Sequence, residues 1–204
     1  MSSKLYTKYL KCIEETDKQM SKYHSNALNA KKLQGAIAVE LLKQEIDTYL
    51  ETNNKPLKTS AINSYIAGSK YEYDLLIVKN NAVPYMNLLY SPDDVIAILE
   101  CKAGGLFKVE RDTNNITTAI NCALELNPKA RFGYITMREN VPVNLYHPSG
   151  KPTVKHWDLT KEYLTQNIHG LTAVYAVTLH KGKNLCDNGS DEELNNFLNF
   201  LSEA

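Results

Sequence analysis

Four ionisable residues lie in or beside apolar segments of this 204-residue chain. Glu100 and Lys102 end the run Val95–Lys102, and Asp74 opens the aliphatic run that follows it. Glu40 interrupts a segment that is otherwise almost entirely apolar. A buried charge loses its hydration, which is costly unless the charge is paired or bound to a metal. We therefore expect these four side chains to share one site.

A hard divalent cation would account for this set of residues. Mg²⁺ binds one or two carboxylates, keeps several waters and also binds phosphate oxygens. The expected ligands are the carboxylates of Asp74 and Glu100 and the backbone carbonyl of Cys101, with Glu40 completing the metal shell or holding a second ion. Lys102 would orient or deprotonate an attacking water and stabilise charge that develops on phosphorus.

Strand periodicity must position these groups. Leu, Ile and Val are nearly continuous in Tyr73–Lys79 and Val95–Lys102, which is typical of strands covered on both faces. Side chains alternate along a strand, so Glu100 and Lys102 are expected to point to one face and Cys101 to the other. If the two strands are neighbours, Asp74 and Glu100 can converge.

The remaining periodicities predict a mixed sheet with helices on its faces, in the order α-α-β-β-β-α-β-α-β-α. Predicted helices cover 3–23, 30–50, about 112–126, 159–168 and the segment after 191, and predicted strands cover 60–67, 73–79, 95–102, 131–138 and 171–179. The length favours one domain over 1–204. Its core is expected at about 30–138, with an N-terminal helix over 3–23 and a C-terminal α-β-α extension over 157–204.

At this point the residues match a known pattern. Asp74 followed by Glu100-Cys101-Lys102, within an α-β-β-β-α-β order, resembles the PD-(D/E)XK nuclease superfamily, which has a restriction-endonuclease-like fold. The segment from Gly35 to Glu40 is similar to the helix motif that often contributes a glutamate in that family. The resemblance covers roughly residues 30–138. It implies an endonuclease that hydrolyses DNA phosphodiester bonds with Mg²⁺, or Mn²⁺ as a substitute, and leaves a free 3′-hydroxyl.

Several alternatives stay open at this stage. Tyr73 stands where the family often has a proline, and Glu72 lies two residues before Asp74 and would face the same way. Asp74 is favoured because it directly precedes the apolar run. Glu100 and Lys102 could also form a simple ion pair at a strand end. The alternative function is a catalytically inactive restriction-endonuclease-like module that binds nucleic acid or protein.

The expected partner is DNA, and RNA and a homodimer are left open. Lys108 and Arg111 follow the third predicted strand closely and are candidates to contact phosphates that flank the scissile one. A restriction, repair or mobile-element system would use such an activity. Target sequence and the choice between endonuclease and exonuclease action depend on loops, which the pattern does not determine.

Composition restricts the class of protein. Lys+Arg and Asp+Glu number 23 each, a net charge of zero, which argues against a basic protein that coats nucleic acid. No apolar run is long enough for a membrane span, and the charged N-terminus lacks the apolar region of a signal peptide. The 4 cysteines have no zinc-site spacing and are typical of reduced thiols. We expect a cytoplasmic protein with no membrane partner.

Overall fold

The computed structural model describes residues 4–21, 27–103, 106–107, 109–137, 141–142, 164–168, 174–178 and 191–203. Within these residues the α-helices are α1 (Lys4–Ser21), α2 (Ala27–Thr52), α3 (Val109–Leu126) and α4 (Asp191–Ser202). The strands are β1 (Leu57–Thr59), β2 (Ser64–Ile66), β3 (Glu72–Tyr73), β4 (Leu75–Lys79), β5 (Leu89–Tyr90), β6 (Val95–Lys102), β7 (Leu106–Phe107), β8 (Arg131–Thr136), β9 (Val141–Pro142) and β10 (Val174–Thr178). A 3-10 turn over Pro92–Asp94 leads into β6, and a helical turn covers 164–167.

A five-stranded mixed sheet in the order β1-β4-β6-β8-β10 forms the centre of the fold. β4 runs antiparallel to both β1 and β6, whereas β6, β8 and β10 are parallel. The elements α2, β1, β4, β6, α3 and β8 follow one another along the chain. This arrangement confirms the predicted α/β class, a mixed sheet with flanking helices, although β1 and not the predicted strand 60–67 is the first strand of its α-β-β-β-α-β order.

One face of the central sheet is covered by α2 and α4. Alternate side chains of the two central strands, including Leu75 and Leu99, join buried residues of both helices in one apolar cluster. Ala38, Leu42 and Ile46 recur every four residues on α2, so they form the stripe that contacts the sheet. β6 is in this way buried on its α2 side.

The other face of the sheet packs against α3. Ile116 and Ile120 of this helix belong to a second apolar cluster, which also contains Ile98 of β6. Ile98 lies two and four residues before Glu100 and Lys102, so these two side chains point to the same face as Ile98. The ionisable end of β6 therefore faces the side of the sheet on which α3 lies, and not the side on which α2 lies.

The chain changes sheets at Asp74. β3, directly before it, belongs to a three-stranded sheet in the order β3-β2-β5, whereas β4, directly after it, belongs to the central sheet. β2 is antiparallel to β3 and parallel to β5. Asp74 is thus the connecting residue between two sheets, at the edge where β6 ends.

The predicted strand 60–67 is shortened to β2, over Ser64–Ile66, and β1 before it was not predicted. The chain instead forms β1, turns between Thr59 and Ser64, and enters a different sheet as β2. Asn63 adopts a φ of 58°, which asparagine tolerates better than most residues. The Oγ of Ser60 accepts a hydrogen bond from the Leu76 N–H at 3.0 Å, which ties the turn to β4.

The remaining differences concern element boundaries. Strand 95–102 lies where it was predicted, and the predicted strand 73–79 is divided at Asp74 into β3 and β4. The predicted strand 171–179 contains β10, which extends the central sheet beside β8. The predicted helix 159–168 coincides with the helical turn at 164–167, and its earlier part lies outside the described residues.

Candidate active site

Asp74, Glu100 and Lys102 lie together where β4 begins and β6 ends. The register pairs Leu75 with Leu99, so Asp74 lies beside Glu100 on the same face of the antiparallel pair. Two residues earlier along the chain, Glu72 lines the same cleft as Lys102. The site is therefore built from one strand end and the connection between two sheets.

Asp74 is held by the backbone of the neighbouring strand. Its Oδ2 atom accepts a hydrogen bond from the Cys101 N–H at 2.8 Å. Burial raises the pKa of Asp74 above its ordinary value, whereas Lys102 and the Cys101 N–H act to lower it and Glu72 acts to raise it. The fold thus fixes the position of this carboxylate and at the same time disfavours its charge.

Glu100 lies in a more strongly perturbed environment. The pKa of Glu100 is raised to about 7. Burial is the largest cause, Asp74 also acts to raise the pKa, and Lys102 acts to lower it. The side chain is 16% exposed, and its Oε1 atom pairs with the Lys102 Nζ. Two carboxylates this close repel each other unless a cation lies near both.

Lys102 supplies a positive charge at this position. Burial acts to lower its pKa, but Glu100 and Asp74 raise it by more, so the net pKa of Lys102 is raised. The side chain is 40% exposed, which leaves the ammonium group accessible from solvent. Lys102 is therefore a partly exposed cation that pairs with Glu100 and interacts electrostatically with Asp74.

Glu100 and Lys102 line a cleft with a volume of about 270 Å³, and Asp74 lies behind it, beside Glu100. Its lining also includes Glu72, Asn115 and Ile116. Sequence reasoning considered Glu72 only as a replacement for Asp74, and it did not identify Asn115 or Ile116. The sequence did contain a signal for these two residues. The helix predicted to follow the third strand packs one of its faces over the end of that strand, so residues on that face are expected at the site.

Tyr73 anchors the segment that carries the two acidic residues. The side chain is buried, and its hydroxyl donates a hydrogen bond to the Ala119 carbonyl of α3 at 3.0 Å. The same hydroxyl lies 2.7 Å from the Ser69 Oγ. Because Glu72 and Asp74 flank Tyr73, this contact fixes the position of both relative to α3.

Glu72 differs from Asp74 in its surroundings. Its side chain is exposed, and its Oε2 atom accepts a hydrogen bond from the Tyr65 hydroxyl at 2.7 Å. Asp74 is half-buried and contacts the end of β6 directly. Glu72 lines the cleft, whereas Asp74 is the residue in contact with the Glu100-Cys101-Lys102 segment, through the Cys101 N–H.

Glu40 does not join this cleft, so the expectation that it acts there is corrected. α2 packs on the Leu99 side of the sheet, opposite the face that carries Glu100. The Glu40 side chain is exposed, and its Oε1 atom accepts a hydrogen bond from the Gln44 Nε2 at 3.1 Å. It lines a separate groove between α1 and α2.

Two other candidate residues, Lys108 and Arg111, follow β6 along the chain. Lys108 lies outside the described residues, and Arg111 is described only as part of the backbone of α3. The Cys101 N–H points to Asp74, and within a strand the carbonyl oxygen of the same residue points to the same side. The Cys101 carbonyl proposed as a ligand therefore lies on the strand edge that carries Asp74.

The donor set limits which metals the cleft could hold. Among the described residues, no group of three or more His, Cys, Asp or Glu side chains is arranged to hold a metal ion. Two carboxylates, a backbone carbonyl and waters form an all-oxygen set, which is the kind that Mg²⁺ prefers. The residues present therefore fit a magnesium ion that keeps much of its water.

Comparisons with known proteins identify no family. No protein-family model matches the chain, and no curated protein matches it. In the described part of the chain, no helix is both long and apolar enough to span a membrane.

Two solved structures are similar in overall shape. NucC from P. aeruginosa ATCC27853, in its cAAA-bound form, has a TM-score of 0.43 at 12% identity, over 97% of this chain and 70% of that one. NucC from E. coli MS115-1, also cAAA-bound, has a TM-score of 0.40 at 13% identity, over 98% of this chain and 74% of that one. Neither likeness reaches the level at which residue roles transfer between two chains.

Proposed function

We propose that this chain is a Mg²⁺-dependent endonuclease that hydrolyses DNA phosphodiester bonds in the cleft at the end of β6. The observation that carries the proposal is the placement of Asp74 and Glu100 side by side, with Lys102 in contact with Glu100. Burial opposes the ionisation of both carboxylates, and a divalent cation between them would favour it.

Three groups would hold the metal ion. They are the carboxylates of Asp74 and Glu100 and the backbone carbonyl of Cys101, and Mn²⁺ would serve as a substitute for Mg²⁺. When bound, such an ion lowers the pKa of a coordinated water and offsets charge on the phosphate. The Cys101 N–H holds the Asp74 carboxylate in place at 2.8 Å, so the position of this ligand is set by the protein.

Lys102 would act on the attacking water and on the phosphate. Its ammonium group, which the two carboxylates keep charged, can donate a hydrogen bond to the water and can stabilise negative charge in the transition state. The water oxygen bonds to phosphorus and the water releases one proton to solvent, while the bond from phosphorus to O3′ breaks and O3′ takes up a proton from another water molecule. The products are a 5′-phosphate and a free 3′-hydroxyl.

DNA is proposed as the substrate because of the sequence resemblance carried by Asp74 and by Glu100-Cys101-Lys102. The exposed side of the cleft, where Glu72 and Asn115 lie, would be the side from which a nucleic-acid backbone approaches. The wider role in a restriction, repair or mobile-element system belongs to the same proposal.

A plasmid-cleavage assay tests the proposal. The purified full-length chain is incubated with supercoiled, linear and single-stranded DNA in Mg²⁺ or Mn²⁺, with EDTA as the metal-free control. Lys102→Ala should lower the rate by about 100-fold or more, since it removes a charged group from the transition state. The matched control is Lys129→Ala, because Lys129 is exposed in the turn before β8, at the end of the sheet where β6 begins.

One observation favours the inactive module as a second candidate. Glu100 and Lys102 pair directly, so the two charges offset each other without an ion. A silent module would bind no Mn²⁺ in calorimetry and would cleave no single-stranded, duplex or branched substrate. Cleavage that EDTA abolishes, together with an inactive Lys102→Ala variant of unchanged melting temperature, would rule this candidate out.

A further inference from the structure

The three-stranded sheet β3-β2-β5 has an inner face and an outer face. One residue of each strand lies on the inner face, in the apolar cluster shared with α3: Tyr73 of β3, Ile66 of β2 and Tyr90 of β5. Successive side chains of a strand point to opposite faces. The residue before each of these three, namely Glu72, Tyr65 or Leu89, therefore points to the outer face.

The residues of the outer face form one continuous row. Tyr65 pairs with Glu72 of β3 on one side and with Leu89 of β5 on the other. Leu89 is bridged in turn to Tyr85. Paired residues of neighbouring strands have their side chains on the same face, so these four residues cross the sheet in a line about 15 Å long. We call this line the tyrosine row.

The tyrosine row begins at the candidate active site. Glu72 lines the cleft together with Glu100 and Lys102. The Glu72 Oε2 atom also accepts a hydrogen bond from the Tyr65 hydroxyl at 2.7 Å, which holds the Tyr65 side chain beside the cleft. A nucleic-acid strand that has a phosphate next to Lys102 and leaves the cleft on the β3 side would therefore pass over the tyrosine row.

The far end of the tyrosine row is open to solvent. Leu89 is 36% exposed and Tyr85 is 72% exposed. Tyr85 is held in place by a tight turn, because the Leu88 N–H donates a hydrogen bond to its carbonyl at 3.2 Å. Met86 and Asn87 have φ values of 52° and 62°, the positive values that a type I′ turn requires at both central residues. The fold thus presents two tyrosines at fixed positions on one face.

The chemistry of this face favours nucleobases over phosphates as its ligands. Over 64–73 and 80–92 the charged residues are Lys70 and Glu72, one of each sign. The acidic residues of the 3-10 turn lie where β6 begins, at the far end of that strand from the cleft. A face without excess positive charge offers little to a phosphate backbone, whereas every base has a π-face that can stack on an aromatic ring. Bases inside a duplex already stack on each other, so the tyrosine row suits unpaired bases.

We infer that unpaired bases of a DNA strand stack on Tyr65 and Tyr85 while a phosphate of the same strand lies in the cleft. The inference rests on the proposed function, and it specifies the substrate as DNA that is single-stranded beside the cut. A free single strand, a flap and an unpaired bubble all have this property. Tyr65 and Tyr85 are separated by two strand spacings, about 10 Å, so they would contact different nucleotides.

Fluorescence anisotropy of labelled oligonucleotides in Mg²⁺ tests the inference. Full-length Lys102→Ala, which is expected to be inactive, is the background for every variant. The probes are a DNA single strand of about 12 nucleotides, a blunt duplex of the same sequence, and a strand of the same length with abasic sites, which keeps the phosphates and lacks the bases. The single strand should bind at least about tenfold more tightly than either of the other two probes.

Substitution of the two tyrosines separates stacking from other contacts. Tyr65→Leu and Tyr85→Leu each keep an apolar side chain but remove the ring, so each should weaken single-strand binding by about tenfold and leave the affinity for the abasic strand unchanged. Tyr65→Phe and Tyr85→Phe keep the ring and should bind like the background. The control is Leu10→Ser, at a 43% exposed residue of α1, a helix that packs in the cluster on the α2 side of the central sheet; it should also bind like the background.

Photocross-linking locates the strand on the protein. A 5-iodouracil base is placed at successive positions of the single strand, and mass spectrometry identifies the linked residue after irradiation. Tyr65 and Tyr85 should link to different nucleotides, with the nucleotide linked to Tyr65 nearer to the position that the wild type cuts. Strands that link to neither tyrosine would contradict the inference.

Four further results would overturn the inference. They are an unchanged single-strand affinity in both leucine variants, a duplex that binds as tightly as the single strand, an RNA strand that binds at least tenfold more tightly than the DNA strand, and a Tyr85→Leu variant that changes sedimentation of the chain but not its DNA affinity. The third result would make RNA the ligand of the tyrosine row. The fourth would make the tyrosine row a contact between copies of the chain.

The same measurements distinguish this inference from the proposed function. A wild type that cleaves DNA with Mg²⁺, together with leucine variants of unchanged affinity, would refute the tyrosine row and leave the endonuclease standing. A wild type that cleaves no substrate, together with tyrosine-dependent binding of the single strand, would refute the endonuclease and support stacking on the tyrosine row.

Discussion

Glu100→Gln should change how the stability of the metal-free protein depends on pH. In the folded chain the pKa of Glu100 is raised from 4.5 to about 7, chiefly by burial and then by Asp74. The folded state therefore binds more protons than the unfolded state between these two values. The contribution of Glu100 to the free energy of unfolding is therefore fully present below pH 4.5, and it is lost as the pH rises through about 7.

The size of the effect follows from the shift. At 1.36 kcal/mol per pKa unit, the ionisation of Glu100 costs the wild type at most about 3 kcal/mol by pH 8. The side chain keeps 16% exposure and pairs with Lys102, so solvent and the lysine make this an upper limit. In a chain of this length, the corresponding change in melting temperature is about 6–12 °C.

The assay is differential scanning calorimetry in EDTA from pH 4.5 to pH 8. The melting temperature of the wild type should fall relative to that of Glu100→Gln across this range, because glutamine has no proton to lose. Glu125→Gln, at an exposed position on α3, serves as the control and should follow the wild type. Adding Mg²⁺ at pH 8 should recover stability in the wild type only. Parallel curves for the wild type and Glu100→Gln would refute the reasoning.

Four further substitutions distinguish the parts of the site. Asp74→Asn should weaken Mn²⁺ binding in calorimetry by at least about tenfold, whereas Glu72→Gln should weaken it less; equal effects would make Glu72 a ligand of the same rank. Glu40→Gln should leave both Mn²⁺ affinity and cleavage unchanged, and a loss of either would return Glu40 to the site. Tyr73→Phe removes the hydrogen bond to the Ala119 carbonyl, so thermal unfolding should show that the free energy of unfolding falls by about 1 kcal/mol. An unchanged melting temperature would contradict this prediction.

The juxtaposition of Asp74, Glu100 and Lys102 could be predicted because strands obey strict geometry. Alternation with a period of two fixes which side chains share a face, and an antiparallel neighbour brings the start of one strand to the end of the other. The long aliphatic run of β6 made its boundaries easy to predict. The local sequence pattern was sufficient to predict the position of a side chain wherever that position depends on the periodicity of a single strand.

Glu40 could not be placed in this way. Within α2 the segment 36–42 is apolar apart from Glu40, so its sequence does not show which side of the helix contacts the sheet. The structure uses the stripe of Ala38, Leu42 and Ile46, which turns Glu40 to solvent. Tertiary packing decides how a helix is rotated about its axis over such an apolar segment, and the local sequence gives no direct signal of that rotation.

The sequence also could not predict that the chain passes from one sheet to the other at Asp74. The run 73–79 reads as one strand, yet β3 pairs with β2 while β4 pairs with β6. That choice depends on partners distant along the chain. The break between β3 and β4 nevertheless contributes to the site, because at this point the Asp74 side chain accepts a hydrogen bond from the Cys101 N–H.

The most direct test of the metal site is a crystal of the protein soaked in Mn²⁺ and measured at a wavelength where manganese scatters anomalously. We expect a single strong peak within coordination distance of carboxylate oxygens of both Asp74 and Glu100, with Lys102 turned from Glu100 towards the solvent side of the ion. A soaked crystal with no anomalous peak between these two carboxylates, while Lys102 still pairs with Glu100, would contradict the proposed function at its base.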